Sequence, residues 1–598
     1  MNKQCLGATV TTGGTRFRVW APQARHVDLV VEDPSCGGAG PLAPRRLSAA
    51  GDGLHELFAP DLGAGTRYRF RLDGQRLFPD PASRYQPAGV HGPSEVVDPS
   101  VFRWRDGGWQ GRSTTELVIY ELHIGTFTPA GTFAAATARL AQLQELGITA
   151  IELMPVADFP GRWNWGYDHA ALWAPAHAYG RPDELRALVD EAHALGLAVL
   201  LDVIQNHLGP DGAYVAAFGP FLTHRHHTPW GPAVNLDDRG SAAVRAFLLE
   251  NAEHWLSEYH LDGLRLDAIE ALCDASPTHF LAELSARVAA LPGPRRYLFA
   301  EDDRNLNRVV QPHAAGGYGL DGVWTDDFHQ VLRRLVAGDR RGSCDDFPAT
   351  TTALAATIND GWWYQGQTLA STGAPRGSDP RGLAPQQLIY FLQNHDQVGN
   401  RPFGERLHHT SGADLYHAAS ALLLFLPQTP LLFMGQEWAA STPFLFFTDH
   451  KPEIGRRVRE GRWREARARL AGEPRAELPD PQQPASFERS KLDWLERERE
   501  PHHRTLQLYR ALLQLRRELR GPARAESPCE GALLVRRGEH LLLVALQAEL
   551  ALPLPTVGAE LLCTAAPPFA ATPRPPQRQG DQLHFAAPAA VIFGPARG

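Results

Sequence analysis

PDELRALVDEAHALG (182–196) and AVLLDVIQNH (198–207) decide the fold. In the first stretch Leu185, Leu188, Val189, Ala192 and Leu195 recur at helical spacing, and Gly196 stops the pattern. That predicts an amphipathic helix. The second opens on an unbroken apolar run, which predicts a strand buried on both faces. It then turns polar at Asp202 and at Gln205-Asn206-His207. A helix feeding such a strand is one unit of a parallel sheet. The unit recurs in both directions. Upstream lie LVIYELHIG (117–125), the helix FAAATARLAQLQELG (133–147) and AIELMPV (150–156). Downstream, SAAVRAFLLENAEHWLSEY (241–259) leads into GLRLDAI (263–269). YLFAED (297–302), GVWTDDF (322–328), LIYFLQNHD (388–396) and LLFMGQEW (431–438) complete eight strands. Eight alternating units predict an α/β fold, a closed (β/α)8 TIM barrel. An open doubly wound sheet would carry a Gly-rich phosphate loop after its first strand, and none is present.

The flanks read differently. Residues 1–105 alternate at period two, as in FRVWAPQARHVDLVVED (17–33), with Gly, Pro and Asp turns between runs. They predict an N-terminal β-sandwich. DGGWQGR (106–112) reads as a linker opening the barrel region, 106–524. Within it, 208–240 is a long Gly-, Pro- and His-rich excursion and 441–500 a polar insertion. Residues 525–598 predict a C-terminal all-β domain.

Composition narrows the function classes. The 598 residues include 59 basic and 67 acidic ones, a net charge of −8, which argues against nucleic-acid binding. Six Cys at 5, 36, 273, 344, 529 and 563 show no CxxC spacing, so no zinc or redox site is expected. No cofactor and no metal are expected. No 18-residue apolar stretch occurs, so no membrane span is expected, and a cytoplasmic location is the default.

Polar residues at the C-terminal ends of barrel strands are catalytic candidates. Here they are dense: Asp202 and His207 after strand three; Arg265, Asp267 and Glu270 on strand four; Glu301 after strand five; His395, Asp396 and Gln397 after strand seven. Converging carboxylates raise one another's pKa, a cost that a mere scaffold has no reason to bear. Glycoside cleavage needs such a pair, one to attack and one to protonate the leaving oxygen. Arg265 and Asp267 are two apart and share a strand face, so the guanidinium would keep Asp267 ionised. Glu301 follows an apolar run, and burial would raise its pKa as a general acid requires. Asp396 could favour a cationic transition state.

These segments also carry a resemblance. DVIQNH (202–207), GLRLDAIE (263–270), FAED (299–302) and FLQNHDQ (391–397) resemble, in order, the four conserved regions of the α-amylase family of glycoside hydrolases. The resemblance implies a retaining mechanism, with Asp267 as nucleophile, Glu301 as proton donor and Asp396 as transition-state stabiliser. It implies that His207 and His395 hydrogen-bond the sugar, Tyr167 stacks beneath it, Arg265 orients the nucleophile and Asp202 supports the site. Outside those regions, IYELHIGTFTPAGTF (119–133), WTDDFHQ (324–330), NHDQVGNRPFGERL (394–407) and FMGQEWAASTPFLFFTDH (433–450) resemble the malto-oligosyltrehalose trehalohydrolases. That group cuts the α-1,4 bond joining a maltooligosyl chain to a terminal trehalose. The likeness implies maltooligosyltrehalose as substrate and a maltooligosyltrehalose synthase as functional partner. It makes Asp326, Asp327, His329, Asn400 and Arg401 candidate contacts to the trehalose. Gln205 stands where Tyr is common in the group, and Gln436 where Glu is.

Alternatives stay open at this level. Branching and debranching enzymes share the motifs, and an inactive glucan-binding subunit is a remote third reading. Trp163 and Trp165 read equally as sugar platforms or local packing. The cluster His224-His226-His227 and the Arg-rich run 456–470 read as solvated surface.

Overall fold

A computed structural model describes residues 6–32, 43–339, 342–470, 477–554 and 558–595. Eight parallel strands close into a barrel. They are β1 (Ile119–Leu122), β2 (Ala150–Leu153), β3 (Ala198–Val203), β4 (Gly263–Leu266), β5 (Tyr297–Glu301), β6 (Gly322–Trp324), β7 (Leu388–Phe391) and β8 (Thr429–Phe433). Closure is made where Ile119 registers with Leu431. Each of the eight strands overlaps the run read from sequence, and each stops short of the end of that run.

Period-two alternation explains why the site sits where it does. Ile119, Ala150, Leu200, Phe299, Ile389 and Phe391 belong to one buried apolar cluster, the packed lumen of the barrel. Stepping two residues along from Ile119, Ala150, Leu200 and Phe299 reaches Glu121, Glu152, Asp202 and Glu301, a polar layer above that plug. The other parity, with Tyr120, Ile151, Val199, Leu264 and Leu298, joins the main core with the helices outside. Parallel strands buried on both faces therefore carry their chemistry as isolated polar residues in apolar runs.

Two of the early endings bear on the site. WTDDF gives a strand only to Trp324, and a helix runs Asp326–Ala337. The seventh stops at Phe391, and His395–Gly399 forms a short helix capped by the Asn394 side chain. The helix read at 133–147 is broken at Ala138 and Arg139, and its second part ends on Gly147 at φ 110°. That left-handed geometry suits glycine at a helix end.

The flanking regions pack onto this frame. Two antiparallel sheets lie between Gly7 and Glu95, with Phe17, Leu29 and Phe70 fully buried. The excursion 208–240 is structured: it holds a helix, Val215–Phe218, and a hairpin, Leu222–Thr228 with Gly231–Val234. Phe218 and Phe221 meet Phe70 and Trp20 of the N-terminal sheets edge to face. Residues 106–112 are no loose tether, because Trp109 stacks on His193 at 4.5 Å and donates to Asp262. Five- and three-stranded antiparallel sheets fill the region after Ala523. Cys273, Cys344, Cys529 and Cys563 are free thiols, while Cys5 and Cys36 lie outside the described residues. Among the described residues no helix is long and apolar enough to cross a membrane, and no cluster of three His, Cys, Asp or Glu could hold a metal.

Candidate active site

Arg265 organises the rim. It is fully buried on β4 and lies 4.4 Å over the Trp324 ring. Its Nη1 donates to Asp202 Oδ2 at 2.7 Å and to Asp267 Oδ1 at 2.8 Å, and Nη2 lies 2.7 Å from Glu301 Oε2. One guanidinium thus touches three carboxylates from three strands. Asn206 donates to Asp267 Oδ2 at 3.0 Å, and the Ala268 N–H donates to Glu301 Oε2 at 3.0 Å. Ala268 holds φ 39° in the left-handed region, a strain that aims its N–H across the site.

This arrangement separates the two carboxyls electrostatically. Burial alone would raise the pKa of Asp267. Arg265, His207 and the Asn206 bond more than offset it, so Asp267 titrates below its ordinary range. Glu301 goes the other way. Its burial, reinforced by the charges of Asp267 and Asp396, outweighs Arg265 and holds it well above a normal glutamate. The two members are thus biased in opposite directions, Asp267 toward the carboxylate and Glu301 toward the carboxylic acid. Burial also lifts Asp202 to about 6, against the pull of Arg265.

A second network holds the far side. Tyr167 Oη donates to Asp202 at 2.6 Å and lies 2.8 Å from His395 Nε2, with the two rings stacked at 5.2 Å. His395 Nδ1 sits 2.5 Å from Glu121 Oε1. Burial would lower the histidine pKa, but Asp396 and Glu121 bring it up to about 9, so it is an imidazolium at neutral pH. His207 Nε2 meets the Tyr167 carbonyl at 2.9 Å, and its ring stacks at 4.5 Å on Trp230, half-exposed at the hairpin tip. Asp396 stands part-exposed above, accepting from Asn400 at 3.0 Å. Beside it a cavity of about 180 Å³ is lined by Asp303, Asp326, Arg376, Asp396, Gln397 and Asn400. Asp326 accepts from Gln397 at 3.3 Å, and burial raises its pKa to about 7. Glu270 is exposed on the turn Ile269–Ala271.

Three expected trehalose contacts are not brought to this cavity. Asp327 is fully buried and already accepts from Asn305, Trp363 N, Tyr364 N and Arg376. His329 is buried beneath the rim, its Nδ1 bonded to the Leu392 carbonyl. Both correct the sequence reading for one reason: the helix begins at Asp326, and helical rotation turns the following side chains inward. Arg401 is engaged by Asp339 and Glu405 at 2.6 and 2.9 Å. Replacing Asp327 with Ala should leave the Arg376 guanidinium uncompensated. We expect the barrel's denaturant transition to weaken by about 3–5 kcal/mol. An unchanged midpoint with a raised KM would instead make Asp327 a ligand contact.

Trp163 and Trp165 are packing residues, stacked on Phe487 and Phe444. In the His cluster, His226 pairs with Asp237 at 2.9 Å. The Arg-rich helix Pro452–Arg469 is largely exposed, but its Arg462 reaches Asn400 Oδ1 at 2.6 Å. Glu121, Asn206, Trp230 and Arg376 were missed by sequence. Glu121 was findable, as a lone acid at an inward position of an apolar strand; Arg376 lies in a loop with no periodic signal.

The same arrangement of strands and rim has relatives. Residues 98–218 match the alpha amylase catalytic domain, and residues 5–99 match carbohydrate-binding module 48, the isoamylase N-terminal domain. A malto-oligosyltrehalose trehalohydrolase from Deinococcus radiodurans is 46% identical over 518 residues, covering 86% of this chain and 83% of that one. The chain belongs to the malto-oligosyltrehalose trehalohydrolase family. A trehalohydrolase from Saccharolobus solfataricus is 39% identical across 90% of both chains. The crystal structure of a candidate alpha amylase from Salmonella typhimurium superposes with a TM-score of 0.88 at 37% identity, over 99% of each chain. The trehalohydrolase likeness thus extends beyond the barrel into both flanking regions.

Proposed function

We propose that the protein is a retaining glycoside hydrolase that cleaves the α-1,4 bond next to the terminal trehalose of maltooligosyltrehalose. It releases trehalose and a maltooligosaccharide. The observation that carries the chemistry is the shared contact of buried Arg265 with Asp267 and Glu301, whose surroundings push their pKa values in opposite directions. Family membership supports the choice of substrate.

Asp267 attacks C1 of the sugar before the scissile bond, while Glu301 gives its proton to the glycosidic oxygen and trehalose departs. A water then gives a proton to Glu301 and attacks C1, freeing Asp267. Asp396 and the developing ring cation attract one another in both steps. Asp202, Arg265, Tyr167, His207 and His395 hold the reacting sugar and the nucleophile, with Glu121 fixing His395. Asp326, Gln397 and Asn400 are placed to meet the trehalose; Arg376 joins them, and Glu270 borders the rim. In this role the protein works in the cytoplasm and is paired functionally with a maltooligosyltrehalose synthase, which would supply the substrate.

The test compares maltotetraosyltrehalose with maltohexaose as substrates. The expected outcome is trehalose release with kcat/KM at least about a hundredfold above maltohexaose cleavage, the scale of a few kcal/mol of aglycone recognition. Equal rates would make the enzyme a general α-glucan hydrolase. New α-1,6 linkages formed from amylose would make it a transferase.

A further inference from the structure

On the face of the barrel opposite the candidate active site lies a cleft of about 900 Å³. It opens where the strands begin, at Val118 before β1 and Thr149 before β2. Its size is that of a small-molecule site. Five arginines line it: Arg112, Arg516, Arg517, Arg520 and Arg537. Glu116 is the acidic side chain in the lining, and its carboxylate accepts from the Ser113 N–H.

Four of the five guanidiniums donate to backbone oxygens. Arg112 donates twice to the Gly196 carbonyl, and Arg520 to Arg517 and Leu519. Arg516 reaches the carbonyls of Leu424, Leu426 and Gln428, and Arg537 that of Phe425. These last two gather on the C-terminal end of the helix Ala413–Phe425. A helix end supplies only about half a negative charge. Set against the five arginines, it and Glu116 leave an excess of roughly three to four positive charges among the lining groups. Arg537 is buried, and its Nε–H has no partner among the described residues. Burial and a neighbouring guanidinium push Arg516 down to about 9 and Arg537 to about 10; those neighbours are Arg537 and Arg520 respectively. Stapling the helix end accounts for two arginines at most, and five bring mutual repulsion that an anion would relieve.

We propose that this cleft binds a small phosphate-bearing metabolite, with the phosphate among Arg516, Arg520 and Arg537. The planar forks of arginine suit phosphate oxygens. Val118, Ile148 and Leu513 give the cleft an apolar wall against which the carbon skeleton of a sugar phosphate packs. The site is separate from the catalytic rim and does not depend on the assigned reaction.

The experiment measures binding to the full chain by calorimetry and thermal shift at fixed ionic strength. The probes are glucose 6-phosphate, inorganic phosphate, glucose and sodium chloride. Saturable binding and a raised Tm are expected for both phosphates, with glucose and chloride inert. Tighter binding of glucose 6-phosphate marks an organic ester as the ligand, and equal affinities mark inorganic phosphate. Arg517 and Arg520 are exposed, so Arg517→Glu with Arg520→Glu should fold and keep its basal hydrolytic rate. Affinity for phosphate should fall at least about tenfold, since each lost charge-assisted bond contributes more than a kilocalorie. Should that variant fail to fold, Arg520→Gln should show the same loss in weaker form. Absence of saturable binding above chloride, or undiminished affinity in these variants, would overturn the proposal.

Discussion

Replacing Asp267 with Asn should lower turnover of maltooligosyltrehalose on the order of 10⁴-fold or more, the cost of removing a group that acts as one unit with its partners. The fold should survive. Asp202, with its pKa at about 6, stays 2.7 Å from Arg265, so the buried charge keeps a carboxylate partner at neutral pH when Asp267 becomes Asn. The shape at Asn206 is also preserved. A second consequence is diagnostic. The Asp267 charge helps to hold Glu301 protonated, so in this variant the pKa of Glu301 should fall. Loss of activity with unfolding, or near-normal turnover with the fold intact, would each remove Asp267 from the nucleophile's role. Single-turnover assays and circular dichroism separate these outcomes.

Replacing Glu301 with Gln should cost about 10²–10⁴-fold on the natural substrate, the usual contribution of a positioned general acid. The loss depends on the leaving group. Trehalose leaves from a sugar hydroxyl and needs a proton. A nitrophenyl aglycone does not, so bond cleavage in an aryl glycoside should be largely spared. The wild-type pH profile of kcat/KM should be bell-shaped. Activity falls toward acid as Asp267, with its lowered pKa, takes up a proton, and toward alkali as Glu301, with its raised pKa, loses one. In Glu301→Gln the alkaline limb should vanish while the acid limb stays. An alkaline limb that persists would assign the proton to another group.

What sequence made legible follows from packing. The barrel strands are buried on both faces, so they read as short apolar runs, and a polar residue inside one stands out. Arg265, Asp267 and Glu301 were visible for that reason. Asp327 and His329 were misread because sequence shows a polar cluster after a strand without showing where the strand stops. A helix starting at Asp326 turns one residue to the cavity and buries the next. Arg376 and Trp230 come from loops, where no periodicity fixes direction. Their place beside Asp326 and His207 depends on chain segments far apart in sequence. Glu121 was passed over because it sits on the first strand, whose partner His395 lies 274 residues away.

The most direct measurement is the anomeric form of the sugar released from maltotetraosyltrehalose, followed by proton NMR in the first minutes. In the proposed mechanism, attack by Asp267 and then by water inverts C1 twice. The expected result is free trehalose together with maltotetraose that appears first as the α-anomer and relaxes to the mixture. Maltotetraose appearing first as the β-anomer would mean one direct displacement by water, and would contradict the pairing of Asp267 and Glu301 as nucleophile and acid.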